Sequence, residues 1–313
     1  MHKRNVVVDC DPGTDDALAL LFALRSPALN VLGITTVAGN VTIERTTRNA
    51  LIIVEHSGKQ VPVMRGAAQP LFEALHTSEI AHGDDGLADL YADPDSKPSA
   101  EHAVDYLIRT AMESTEPLEW IGQGPLTNLA LALKREPRLE ERVKSLVLMG
   151  GGLTGGNSTP MAEFNMYVDP EAADIVFRSR ILKTMVALEP IDGGAWFMPE
   201  DVDRLVASPA PWAKMCGDLL RWQEARFKSF GLDRPEVMYD PAATAVAIDP
   251  TVAEARMMHV EIETQGKLTR GMTVVDRRWF RDILPDAPKP NVNVVTHIDN
   301  QRYRRVFLDT LLA

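Results

Sequence analysis

Between Val6 and Phe22 an apolar strand runs into a Pro-Gly turn and re-emerges as a helix, and four carboxylates crowd the joint. Val6-Val7-Val8 has the β-branched character of a buried strand, and Ala17-Leu18-Ala19-Leu20-Leu21-Phe22 has that of a helix. Asp9, Asp11, Asp15 and Asp16 stand between the two. Like charges this close repel or raise one another's pKa, so the cluster is unfavourable without a positive partner. A hard divalent cation with oxygen ligands supplies one. Thr14, Asp15 and Asp16 also suit a helix N-terminus as caps. Capping accounts for one such acid better than for four, two of which precede the turn.

The strand–helix unit recurs along the chain. Val31–Val37 is followed by helical spacing over Thr42–His56, and Leu118–Gly122 by a helix over Leu126–Leu133. Lys144–Met149 and Lys183–Leu188 are further strands, with a helix over Pro170–Phe177 between them. Helices over Trp212–Phe230 and Asp240–Ile248, strands over Met257–Glu263 and Met272–Val275, and a last helix over Asn300–Leu312 complete the pattern. Such alternation predicts an α/β fold: an open, mainly parallel, Rossmann-like sheet with helices on both faces. No repeat or linker interrupts it, so one domain spanning 1–313 is expected.

Composition narrows the partners. A net charge of −11 argues against a nucleic-acid or anionic-membrane surface, which would need clustered Lys and Arg. Arg302, Arg304 and Arg305 do cluster, but Asp299 and Asp309 flank them. Two cysteines, Cys10 and Cys216, make no disulfide framework. Met1-His2-Lys3-Arg4 leads into a short strand rather than a signal-peptide core, and no apolar stretch reaches membrane length. A cytoplasmic protein is expected.

Polar residues gather just after the strands: Asp9 and Asp11, Gly39-Asn40, Gly124-Pro125-Leu126-Thr127-Asn128, and Gly150-Gly151-Gly152 with Asn157. In open parallel sheets, ligands bind beyond the carboxyl ends of the strands. Asp11 and Asp16 flank a turn that can bring both onto one ion. Asp240 offers another acid, with N-capping before Pro241 as its plainer role. Thr127 opens a helix, and its carbonyl is the part able to reach a metal. Glu163 and Asn165 stand two apart, on one side if extended, which suits a vicinal diol. His82 sits in the Gly-flanked polar loop His82-Gly83-Asp84-Asp85-Gly86.

Taken in order, these motifs resemble the nucleoside hydrolases, the calcium-dependent N-ribohydrolases of the inosine–uridine preferring type. Asp9-Cys10-Asp11-Pro12-Gly13-Thr14-Asp15-Asp16-Ala17 matches the family's N-terminal signature, with Cys10 where Thr is usual. Further matches are Thr36–Asn40, His82-Gly83 with Gly86-Leu87, Gly124–Leu129, Met149-Gly150-Gly151, Ala162–Asn165 with Asp169–Ala172, and Arg270–Asp276. The resemblance implies the nucleoside hydrolase fold, assembled as homo-dimers or homo-tetramers, and a small-molecule ribonucleoside as substrate. It implies that Asp11, Asp16, Asp240 and the Thr127 carbonyl hold Ca²⁺ together with a water and the ribose 2′- and 3′-hydroxyls, with Asp11 as general base. It also implies that Asp15, Asn157, Glu163 and Asn165 grip the ribose, with Asn40 near the diol and Met149 lining the sugar pocket.

The chemistry is consistent with those residue types. Breaking an N-glycosidic bond builds positive charge on the sugar ring, which aimed carboxylates and amide oxygens stabilise. Oxygen-only ligation suits Ca²⁺ better than zinc, though ligand type alone leaves magnesium open. One position departs from the family pattern. Tyr239 stands where many relatives have the His that protonates the leaving base. A phenol, with an ordinary pKa of about 10, is a weaker acid near neutrality than a His at about 6.5. Leaving-group activation then falls to His82 or to Arg226–Phe230, or the base is stacked on Tyr239, Trp196 or Phe227, of which the last two read better as core or lid packing. Two other classes stay open: a silent nucleoside- or ribose-binding protein, and an aspartate-dependent phosphohydrolase, which Asp9-x-Asp11 suggests and Pro12-Gly13 disfavours.

Overall fold

In the computed structural model, which describes residues 3–232 and 236–313, the expected α/β sheet is present. Met1 and His2 lie outside the described residues. The first strands are β1 (Arg4–Cys10), β2 (Leu29–Thr36), β3 (Val63–Arg65), β4 (Leu118–Gly122), β5 (Val143–Met149) and β6 (Leu182–Val186). With Val292–Ile298 and Ala253–Met258 they form one sheet in the order β3-β2-β1-β4-β5-β6, then those two strands. Neighbours are parallel except the final pair, which is antiparallel.

The chain therefore winds outward from β1 to β3 and then returns to lay β4 on the other side of β1. The two halves diverge there, leaving a crevice above the carboxyl ends of β1 and β4, where ligands bind in such sheets. Both strands are buried on both faces, which is why β4 reads as a near-continuous apolar run.

One face is covered by α1 (Thr14–Arg25), α2 (Ile43–Ser57) and the helices Pro211–Ser229, Tyr239–Ile248 and Asn300–Leu311. The helices Ala103–Glu113, Thr127–Arg135 and Pro170–Arg178 cover the other. α1 is apolar nearly all round because it packs against the sheet and against neighbouring helices. Phe22 on α1 meets Phe307 edge-on at 5.0 Å, fixing the C-terminal helix against it. This burial anchors the acidic turn that precedes α1.

Several expected elements change. Met257–Glu263 is not one strand: it breaks at His259, Ala253–Met258 joins the main sheet, and Val260–Ile262 pairs with Thr273–Val275 in a separate ribbon. The strand expected over Lys183–Leu188 ends at Val186, because Leu188 begins the short helix Leu188–Gly194. Val292–Ile298, Val63–Arg65 and the helix Ala103–Glu113 were not expected from local pattern.

Candidate active site

The crevice holds a cavity of about 300 Å³, lined from the strand ends by Asp15, Asn40, Gln123 and Met149. Asn157, Glu163, Asn165 and Asp240 continue the wall, and Ile80, His82, Phe164, Phe227 and Tyr239 also line it. The volume falls at the lower end of small-molecule pockets. Every predicted sugar residue thus reaches one cavity. No lysine or arginine is among its described lining residues, so a phosphate would meet no cationic side chain there.

Asp11 and Asp16 lie beneath that wall, wholly buried. The Asn40 backbone N–H donates to Asp11 Oδ2 at 2.7 Å, while Asp11 Oδ1 has no partner. Two glycines clasp this carboxylate. A Cβ on Gly39 would stand 2.0 Å from its Oδ2, and one on Gly124 2.4 Å from its Oδ1. Neither residue can carry a side chain while Asp11 keeps this position. Asp16 Oδ2 accepts the Gly13 N–H at 3.0 Å and the Asn40 Nδ2 amide at 3.0 Å, and its Oδ1 is likewise buried without a partner.

Asp15, Asp16 and Asp240 each offer an oxygen, all within 4.8 Å of one another, a spacing that could hold a metal ion. This set differs from the expected one by including Asp15 and leaving out Asp11. Asp240 stands at the second position of its helix, after Met238 as cap and Tyr239 as first residue, so it is not the expected N-cap. The Thr127 hydroxyl donates to Asp169 Oδ2 at 2.7 Å, and Thr127 opens its helix below the cavity rather than lining it.

The charges carry the same message. Burial, and then the charge of Asp15, push Asp16 up to about 8. Asp11 and Asp240 are raised by burial first and by the charge of Asp16 next. Three buried carboxyls whose ionisation is opposed by burial and by one another, two of them with orphaned oxygens, are what a divalent cation would resolve. The donors are all hard oxygens, so the residues present fit such a group.

At the sugar end, Glu163 keeps an extended backbone but caps the helix Phe164–Val168, so Asn165 is helical and the pair do not share one extended segment. Its Oε1 accepts Asn165 N–H at 2.9 Å, and its Oε2 accepts Gly151 N–H at 2.9 Å and Met166 N–H at 3.2 Å. Three backbone donors fix the carboxylate at the wall. Asn165 Nδ2 reaches the Met149 carbonyl at 3.3 Å, and Asn157 Oδ1 accepts Phe164 N–H at 2.9 Å.

His82 is buried, with Nδ1 accepting the Thr14 N–H at 3.2 Å and lying 2.9 Å from the Thr14 hydroxyl. An accepting Nδ1 places the proton of the neutral ring on Nε2. Burial pushes the His82 pKa below its ordinary value, only partly opposed by Asp15. The Tyr239 hydroxyl donates to Asp192 Oδ1 at 3.0 Å, and Asp192 is not among the lining residues. Trp196 pairs with Val237 in a small ribbon and packs on the core, whereas Phe227 faces the cavity. Gln123 and Gln223 line it as well and carried no motif signal; the only hint for Gln123 was its place directly before Gly124-Pro125.

Known proteins resemble this chain from end to end. The pyrimidine-specific ribonucleoside hydrolase RihA of Shewanella baltica is 41% identical over 315 residues, covering 98% of this chain and 96% of the relative. That of Photobacterium profundum is 41% identical over 284 residues, 90% of this chain and 91% of the other. A plant nucleoside hydrolase structure superposes with a TM-score of 0.91 at 31% identity over 100% of both chains. The purine-preferring ribonucleoside hydrolase of Gardnerella vaginalis gives 0.87 at 30% identity over 98% of each. The family profile described as inosine-uridine preferring nucleoside hydrolase matches residues 6–305. The chain belongs to the inosine-uridine preferring nucleoside hydrolase family, and it is an N-glycosyl hydrolase of ribonucleosides.

Proposed function

We propose that residues 1–313 work as one domain that cleaves ribonucleosides to free base and ribose, with Asp11 as the base that activates water and Ca²⁺ as the resident cation. The observation that carries this reading is the pair of buried, unpartnered oxygens on Asp11 and Asp16 beneath a cavity walled by Asp15, Asn40, Glu163, Asn165 and Asp240. Asp11, Asp16 and Asp240, with the Thr127 carbonyl, would hold the cation, and Asp15 stands close enough to share that duty. When bound, it offsets the carboxylates, acidifies a coordinated water and grips vicinal hydroxyls.

Asp11 takes one proton from the attacking water as oxygen bonds to the anomeric carbon. The bond from that carbon to the base nitrogen breaks, and its electron pair leaves with the base. Asp15 and the Asn165 amide face the ring as it turns cationic, and the Glu163 carboxylate stays rigid on its three backbone donors. His82 offers Nε2–H as a hydrogen-bond donor to the departing base, whose new proton comes from solvent.

Tyr239 contributes its ring rather than its proton, because its hydroxyl is committed to Asp192. With Ile80, Phe164 and Phe227 it presents faces to the base. Tyr239→Phe is therefore expected to keep kcat within about threefold of the parent, while Tyr239→Ala raises KM through lost packing. A hundredfold fall in kcat for the Phe variant would return the phenol to the role of acid.

The test of the whole reading is free-ribose release from inosine, adenosine, guanosine, uridine and cytidine, with Ca²⁺ and with a chelator. The expected result is release that the chelator abolishes and added Ca²⁺ restores. The name carried by the Shewanella and Photobacterium relatives puts uridine and cytidine first in that panel. Undiminished release in chelator would sink the cation assignment. A homo-dimer or homo-tetramer working in the cytoplasm completes the proposal. The buried free thiols of Cys10 and Cys216 and the absence of a membrane-crossing helix among the described residues are in keeping with it.

A further inference from the structure

Gln123 sits between β4 and the clasping Gly124 with only 1% of its surface exposed, and it has been given no task. Its contacts make it a junction. The backbone N–H donates to the Asp9 carbonyl at 2.8 Å, and its own carbonyl lies 3.4 Å from the Asn165 Nδ2 amide. The side-chain Nε2 donates to Thr244 Oγ1 at 2.6 Å, one turn beyond Asp240 on the same helix. That bond restrains the nitrogen end of the amide. Its other end, Oε1, is buried without a donor, although the residue lines the cavity.

A buried acceptor left unpaired is costly, so an orphan oxygen on a residue of the cavity wall marks a place for a ligand donor. The charged groups around it, Asp15, Glu163 and Asp240, are acceptors when ionised and do not satisfy it. A sugar brings what is missing, because each ribose hydroxyl carries a donor proton. Gln123 also adjoins the residues of the sugar end, since Asn165 bridges it to Met149. We propose that the Gln123 side-chain oxygen, held in place by Thr244, accepts a hydrogen bond from one ribose hydroxyl and so selects ribosides. This rests on the ribonucleoside reading above and adds a contact to it.

The experiment pairs side-chain deletion with hydroxyl deletion. Uridine and inosine and their 2′-, 3′- and 5′-deoxy forms are compared on the parent, Gln123→Met and Thr244→Val. The comparison is by kcat/KM, or by inhibition constant where a deoxy form is not turned over. Gln123→Met is expected to lose about tenfold, mostly in KM or inhibition constant. It should also erase the penalty for removing one hydroxyl, from about tenfold in the parent to under twofold, leaving the other two penalties intact. Thr244→Val, which removes the anchor but leaves the oxygen, is expected to shrink that same penalty in part and to leave the other two intact. If Gln123→Met melts well below the parent, Gln123→Ser withdraws the oxygen without adding apolar surface and reads the same cycle. Three unchanged penalties in the Gln123 variant overturn the proposal. A parent that releases ribose from neither substrate overturns the hydrolase reading instead.

Discussion

Asp11→Asn is expected to fold as the parent does and to lose ribose release by about 10²–10⁴-fold, the span a positioned general base commands. The substitution is nearly isosteric, and space around Asp11 permits little else. Gly39 and Gly124 close on either side of the carboxylate, and the Asn40 N–H holds Oδ2 at 2.7 Å. An amide oxygen can keep that bond. Its NH₂ then occupies the place of Oδ1, where the parent offers a bare acceptor without a partner. Basicity is lost, one negative charge leaves the cluster, and a donor points where a cation or water proton belongs. Thermal melts in chelator should show the variant no less stable than the parent, since a group whose charged form burial and Asp16 disfavour has gone. Gly39→Ala or Gly124→Ala should lose activity too, by pushing the carboxylate out of place. More than a tenth of parental release in Asp11→Asn would remove Asp11 from the role of base.

Much of this site is legible in the sequence because it is local. The Pro-Gly turn between an apolar strand and an apolar helix fixes where Asp11, Asp15 and Asp16 fall, and no distant contact is needed to see it. β4 runs over Leu118–Gly122 as its apolar pattern predicts, and the polar loop after it arrives at the crevice. What sequence conceals is pairing at a distance. Val292–Ile298 inserts between β6 and Ala253–Met258, and nothing in its own pattern names those neighbours.

The run Met257–Glu263 is uniformly strand-like yet serves two sheets, since local propensity is blind to partner. Glu163 and Asn165 suggested a shared extended face. The backbone N–H groups of Gly151, Asn165 and Met166 instead draw the carboxylate into a helix cap. Gln123 becomes meaningful only when Thr244, 121 residues later, takes one end of its amide and leaves the other bare. The partner of Tyr239 is hidden for a similar reason: its hydroxyl donates to Asp192, 47 residues earlier, and that pair is invisible in one dimension.

Stripping the protein of divalent cations should make pH a strong control on its stability, in a direction set by the carboxyl cluster. Burial raises Asp16 to about 8 and Asp9 to about 7, and raises Asp11 and Asp240 as well. A carboxyl whose folded pKa lies above its unfolded value contributes stability that is complete below the unfolded value, near pH 4. That stability drains away as pH rises through the folded value. Each group still protonated in the folded state costs up to about 1.4 kcal/mol per pH unit over that interval.

His82 runs the other way. Its lowered pKa means stability lost as pH falls below the ordinary histidine value, about 6.5. The window from pH 6.5 to pH 8 therefore isolates the acids. In chelator the melting temperature should fall by roughly 5 °C or more across it. With saturating Ca²⁺ the fall should shrink to the share of Asp9, which is no ligand, because a cation that binds the ionised cluster in the folded state stabilises that form by mass action. The gap between the two curves should be widest at the alkaline end and narrow towards pH 5, where protons compete for the same oxygens. Parallel melting curves with and without Ca²⁺ across the whole window would mean that these carboxylates hold no cation, and the assignment of Asp11, Asp16 and Asp240 as ligands would fall with it.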